Sequence, residues 1–74
     1  MHKFPSKETV NRIREQYPQG CRVELVQMND PYSTLKPCDK GTVDFIDDTG
    51  TIFCCWDNGS ALGVVYGEDA VKRL

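Results

Sequence analysis

The chain has 74 residues, of which 39% are hydrophobic and 27% are charged, and its formal net charge is −2. This length allows one domain with one core, and this composition is typical of a folded protein and not of a disordered one. The slightly acidic balance, without a run of lysines or arginines, argues against a nucleic-acid-binding protein, because such proteins usually carry a basic patch.

The sequence lacks a stretch of roughly 18 apolar residues, the length that a membrane-spanning helix needs. The first eight residues are polar and charged, unlike a secretory signal. We therefore expect a cytoplasmic protein, in which all four cysteines would stay reduced.

The first predicted element is a helix over about residues 6–17. Ser6 is a favourable N-cap residue, and Val10, Ile13 and Tyr17 recur at helical spacing to form one apolar stripe. Proline and glycine soon after Tyr17 end the helix.

The remainder, about residues 21–74, predicts five short strands separated by tight turns. The predicted strands cover residues 21–28, 42–47, 51–56, 61–66 and 70–74. The turns include an Asn-Gly pair at Asn58, which is a strong hairpin signal. Residues 1–74 are thus expected to form a single, mainly β domain with one N-terminal α-helix, folded as a small closed barrel.

The third predicted strand is apolar on both faces. Ile52, Cys54 and Trp56 share one face, and Phe53 and Cys55 share the other. A barrel wall with a wet exterior should alternate between apolar and polar residues, so a second layer must cover one of these faces. The helix is the favoured cover and a partner subunit is the alternative. The predicted interface residues are Phe53, Cys55, Ile13 and Tyr17.

Four segments in order, FPSKETV (4–10), YPQGCRVEL (17–25), KGTV (40–43) and WDNGS (56–60), carry a family resemblance. Together they resemble the bacterial domain of unknown function family 4314, found in short proteins of gut Firmicutes and their mobile elements. The second half is also similar to the Mind-bomb/HERC repeat, an SH3-like barrel of ubiquitin ligases that binds protein segments. These resemblances imply a small five-stranded SH3-like barrel.

An aromatic-lined groove is the best predicted binding site. SH3-type barrels bind extended, proline-rich segments on such grooves, and the residues that could form one here are Trp56, Asn58, Tyr66 and Tyr32. The alternative is that the Trp56 indole closes one end of the barrel, with its N–H bonded to a backbone carbonyl.

We predict no metal site, no cofactor and no catalytic residues. The four cysteines, at positions 21, 38, 54 and 55, lack the paired spacing of zinc sites. His2 is the only histidine, and Asp47, Asp48 and Asp57 are expected to be turn residues.

The predicted function is a non-enzymatic module that binds a protein segment or associates with itself. The alternative is a nucleic-acid-binding accessory protein of a bacterial mobile element. That alternative requires the lysines and arginines at positions 3, 7, 12, 14, 22, 36, 40, 72 and 73 to cluster on one surface.

Overall fold

The computed structural model of the chain describes residues 5–29 and 34–74. The helix α1 (Lys7–Gln16) begins after Ser6, whose hydroxyl oxygen accepts a hydrogen bond from the Thr9 N–H at 3.2 Å. This N-cap satisfies a backbone donor that the first helical turn leaves unpaired. The predicted helix is confirmed to within a residue at each end.

In the described ranges, five strands follow the helix and form one sheet. They are β1 (Arg22–Gln27), β2 (Lys40–Ile46), β3 (Ile52–Trp56), β4 (Gly63–Val64) and β5 (Ala70–Arg73). Their order is β4-β3-β2-β1-β5, and neighbouring strands are antiparallel.

The mainly β fold with one N-terminal helix is therefore confirmed. Closure of the sheet into a barrel is not, because β4 and β5 lie at opposite edges and the described residues form no strand pair between them. No helix within residues 5–29 and 34–74 is long and apolar enough to cross a membrane.

Two hairpin loops, one before and one after β3, align the neighbouring strands, and both contain a glycine whose N–H donates to a carbonyl three residues earlier. In the first, the Gly50 N–H donates to the Asp47 carbonyl at 3.1 Å, and in the second the Gly59 N–H donates to the Trp56 carbonyl at 2.9 Å. The second loop is closed by the Trp56 N–H, which donates to the Ser60 carbonyl at 2.8 Å. Each glycine has a positive φ, 84° and 94°, which residues with a side chain rarely adopt.

A β-bulge interrupts the pairing of β2 with β3. Val43 pairs with Cys54, but the next pair is Phe45 with Phe53, so Asp44 is an extra residue. As a result Val43 faces the core, whereas Asp44 and Phe45, which follow it, are both exposed.

The core lies between the helix and one face of the sheet, here called the inner face. The buried apolar side chains are Val10, Ile13, Val23, Leu25, Leu35, Val43, Ile46, Ile52, Cys54, Trp56 and Val64. The described residues include no buried polar or charged side chain. Burial of this apolar set is the main favourable contribution to folding.

The helix packs on the inner face of β3 and not on its outer face. Ile13 belongs to the same buried cluster as Ile52 and Trp56, while Phe53 is half-buried and Cys55 is exposed. The prediction that the helix covers the second apolar face of this strand is therefore wrong. The physical reason is that the open sheet leaves its core uncovered between β4 and β5, and the helical stripe closes that opening.

Candidate binding surface

Trp56 lies in the core, 3% exposed. Its indole N–H donates to the Leu62 carbonyl at 3.0 Å, so the polar end of the ring is satisfied inside the fold. Gly41 lies against this ring, and a methyl group there would lie 2.8 Å from Trp56 Cε3. Of the two interpretations of Trp56, this position favours the core one.

The other predicted groove residues do not gather around Trp56. Asn58 is exposed in the second hairpin loop, where its side-chain oxygen accepts from the Ser60 N–H at 2.9 Å. Tyr66 lies on the turn between β4 and β5 and is exposed. Tyr32 lies outside the described residues. The four residues therefore do not form one site in the part of the chain that is described.

Tyr66 instead shares a groove with the helix, here called the edge groove. It has a volume of about 250 Å³ and lies where β4, β5 and the helix meet. Tyr17 and Ile13, both predicted interface residues, line it with Tyr66. The Tyr17 hydroxyl donates to the Val71 carbonyl at 3.3 Å, and burial, with a smaller contribution from Cys21, raises the pKa of that hydroxyl.

The outer face of the sheet carries a stacked pair of phenylalanines. The Phe45 and Phe53 rings have centroids 4.7 Å apart and an interplanar angle of 16°. Phe45 is 52% exposed, whereas Phe53 is half-buried. Sequence reasoning named Phe53 but missed Phe45, because regular strand alternation places Phe45 on the same side as the buried Val43.

Gly63 completes this surface on the neighbouring strand. It pairs with Phe53 in register, and a methyl group at Gly63 would lie 3.0 Å from Phe53 Cε1. The absence of a side chain leaves room for the Phe53 ring over the β4 backbone. We call Phe45, Phe53 and Gly63 the outer aromatic patch; Cys55, two residues from Phe53 on the same strand, is exposed beside it.

A second groove, here called the helix-end groove, adjoins the patch at Phe45. Its volume is about 280 Å³. The residues that line it are Arg14, Tyr17, Pro18, Gln19, Val43, Phe45 and Ile46. The Arg14 guanidinium donates to the Ile46 carbonyl and to the Asp48 carboxylate, both at 3.1 Å. An apolar path therefore runs from this groove across Phe45 to Phe53.

The other half of the outer face is charged, and its charges are paired. The two terminal N–H groups of the Arg22 guanidinium donate to the two oxygens of the Asp57 carboxylate, at 2.8 and 2.6 Å. This hydrogen bonding holds the pKa of Asp57 below its ordinary value. The Glu24 carboxylate oxygens lie 3.9 Å from Lys40 Nζ and 3.9 Å from Lys72 Nζ. Each of these charged side chains therefore has an ionic partner on the same face.

The described cysteines do not form a metal centre. Within residues 5–29 and 34–74, no three His, Cys, Asp or Glu side chains are placed to hold a metal ion. Cys54 and Cys55 lie on opposite faces of β3, as their adjacent positions predicted. Burial is the main cause that raises the pKa of the Cys54 thiol to about 12, so this thiol stays protonated at neutral pH.

The fold and its surface define a small, mainly β protein. A helix covers the inner face of its open sheet, and an aromatic patch is exposed on the outer face. The profile of the family described as Domain of unknown function (DUF4314) matches residues 6–74, and the chain belongs to this family. The predicted family membership is thereby confirmed. No curated protein and no solved structure matches the chain, and its similarity to the Mind-bomb/HERC repeat stays a prediction.

Proposed function

We propose that the protein is a non-enzymatic binding module that takes up a protein segment on the outer aromatic patch. The observation that carries this proposal is the Phe45–Phe53 stack, which lies on the outer face of the sheet with Phe45 52% exposed. Exposed aromatic side chains on a rigid sheet are typical anchors of protein interfaces, where they bury a large apolar area at a small entropic cost.

The shape of this region supports an extended ligand. The patch continues into the helix-end groove, whose lining includes Pro18 and Ile46. One side chain of a bound segment can enter this groove while a neighbouring one lies on the Phe45–Phe53 stack. Recognition by alternate side chains is how sheet surfaces bind extended segments.

The strand order supports an SH3-like sheet, although fold analogy is a weak guide to function. Written from the other edge, the order is β5-β1-β2-β3-β4, which is the order expected when five strands of an SH3-like barrel are opened at the seam. The proposal extends to a cytoplasmic location, in which the four free cysteines would stay reduced.

Nucleic-acid binding is the second candidate, and the charge distribution argues against it. Among the described basic side chains, Arg14 is paired with Asp48 and Arg22 with Asp57, and Lys40 and Lys72 both lie near Glu24. A phosphate backbone is bound by unpaired, clustered positive charge. These pairs instead leave carboxylates beside the basic groups.

The test is a selection from a random peptide library on the immobilised chain. Each enriched peptide is synthesised, and its affinity is measured by fluorescence anisotropy for the wild type and for Phe45→Ser. We expect Phe45→Ser to weaken binding about tenfold, since removing an aromatic anchor costs roughly 1–2 kcal/mol of binding free energy.

Val26→Ser is the matched control, because Val26 is equally exposed, at 50%, and lies at the end of β1 that points away from Phe45. The control should bind every peptide as the wild type does. Enriched peptides that bind Phe45→Ser as tightly as the wild type would overturn the proposal. A concentration-dependent dimer in sedimentation that Phe45→Ser abolishes would replace it with self-association through the same patch.

A further inference from the structure

Within residues 5–29 and 34–74, a carboxylate without a partner directly precedes the outer aromatic patch in sequence. Asp44 is the extra residue of the β2 bulge, and it is exposed directly before Phe45. Both residues are exposed, because a bulge lets two consecutive side chains lie on the same side of a sheet. In the described part of the chain the Asp44 carboxylate forms no side-chain hydrogen bond or ion pair, unlike Asp57 on the same face.

We infer that the segment bound at this patch presents an arginine, whose guanidinium lies on the Phe45 ring and pairs with the Asp44 carboxylate. This inference rests on the proposed function and names the chemistry of its partner. A guanidinium suits the place because it is planar, stacks on aromatic faces and binds carboxylates with directed N–H groups. A lysine would supply the charge without the stacking plane.

An arginine–carboxylate pair of the chain itself lies next to the patch. Arg14 lines the helix-end groove together with Phe45, and its guanidinium reaches Asp48 at 3.1 Å. One carboxylate on this side of the molecule is thus already paired with an arginine near the aromatic patch. Asp44 offers a second acceptor of the same type without such a partner.

A second copy of the chain fits the patch less well. In a two-fold dimer through this patch, both Asp44 carboxylates would lie in one interface and add like charge to it. Arg14, which lines the helix-end groove, and Arg22, which lies on the outer face, are already paired with Asp48 and Asp57. The same free carboxylate disfavours a phosphate backbone as the ligand.

The experiment is a double-mutant cycle on the arginine peptides enriched on the wild type. Each is compared with a copy in which citrulline, a neutral residue of nearly the same shape, replaces the arginine, on wild type, Asp44→Asn and Glu68→Gln. Glu68→Gln is the matched control, because Glu68 is an exposed carboxylate on the turn between β4 and β5.

We expect Asp44→Asn to weaken the arginine peptide three- to fivefold, as removal of an exposed charge pair does, and to leave the citrulline peptide unchanged. Glu68→Gln should change neither. Added salt should weaken the arginine peptide on the wild type and on Glu68→Gln, which both keep Asp44, and should not weaken it on Asp44→Asn.

Enriched peptides that need Phe45 but lack arginine, or arginine peptides insensitive to Asp44→Asn, would overturn this inference and leave the proposed function standing. Enriched peptides insensitive to Phe45→Ser would overturn both. The two failures are therefore distinguishable in one set of titrations.

Discussion

The two faces of β3 have different environments although both are built from apolar residues. On the inner face Ile52, Cys54 and Trp56 are buried, whereas on the outer face Phe53 is half-buried and Cys55 is exposed. The difference arises from the neighbouring elements, because the helix closes the inner face, whereas on the outer face the Phe45 ring stacks on Phe53. The apolar character of a strand therefore does not by itself identify its buried side.

This difference separates residues that stabilise the fold from residues available to a partner. The inner face satisfies its one polar ring atom, the Trp56 indole N–H, with the Leu62 carbonyl. The outer face leaves about half of Phe45 exposed to water. Substitutions on the inner face should lower the free energy of unfolding, and substitutions on the outer face should change binding.

The largest effect is expected for Trp56→Ala. Removal of a buried tryptophan costs about 3–5 kcal/mol of unfolding free energy, a large part of the roughly 5–15 kcal/mol that a domain has. Urea denaturation of Trp56→Ala and Phe53→Ala, followed by circular dichroism, measures both. A larger loss for Phe53→Ala would reverse the assignment of the two faces.

The next effect is expected at the two glycines that contact β3. Gly41→Ala places a methyl group 2.8 Å from Trp56 Cε3 and 3.1 Å from a backbone oxygen, inside the core. We expect a loss of about 1–3 kcal/mol in unfolding free energy, as for overpacking.

Gly63→Ala makes a similarly close approach, 2.7 Å to Thr51 Cγ2, but against side chains on the more open outer side. We expect it to cost less stability than Gly41→Ala and to weaken the enriched peptides more. Equal stability losses in thermal melts of the two variants would contradict the comparison.

A smaller effect on the free energy of unfolding is expected at Asp47, in the hairpin loop that holds Phe45 opposite Phe53. The Asp47 carboxylate accepts hydrogen bonds from the Thr49 N–H at 2.9 Å, the Thr49 hydroxyl at 2.7 Å and the Thr51 N–H at 3.1 Å. Burial raises the pKa of Asp47, but these hydrogen bonds and the Arg14 charge together lower it below the ordinary value.

Because the folded pKa of Asp47 is lowered, its contribution is present above the ordinary aspartate pKa and is lost as the pH falls through the folded value. We expect Asp47→Ala to cost about 1 kcal/mol of unfolding free energy at neutral pH, and less in acid. Denaturation curves at neutral and acidic pH measure this. A cost that is the same at both pH values would contradict the role of the charged carboxylate.

The smallest effect on stability is expected for Phe45→Ser. Its ring is half exposed, so its loss removes mainly the stacking contact with Phe53, about 0.5–1 kcal/mol. The thermal midpoint should fall only slightly, while peptide binding falls about tenfold. A loss of stability as large as that of Trp56→Ala would show that Phe45 belongs to the core.

The sequence predicts those elements whose signals are local. The helix follows from the Ser6 cap and the stripe through Ile13, and the strands follow from the glycine turns between them. The side on which the helix packs is not local, because it depends on where the sheet opens. The sequence therefore predicts the helix and its apolar stripe but not the face that this stripe covers.

The candidate site was predicted only in part, for a reason that lies in the bulge. A strand that alternates regularly would place Phe45 with Val43 on the inner side. Asp44 shifts that alternation by one residue, and no local signal distinguishes a bulged aspartate from an ordinary exposed one. Of the aromatic residues that the sequence analysis predicted as a binding groove, Trp56 lies in the core and Tyr66 lies at the edge groove.

The same bulge bears on how this surface could change in evolution. Since Asp44 is additional to the pairing, loss of its codon would leave Val43 opposite Cys54 and Phe45 opposite Phe53, with every other side chain on its present face. Such a deletion would keep the aromatic stack and discard the charge next to it. A shorter relative of this chain could therefore acquire different ligands through a single indel, without any change to its hydrophobic interior.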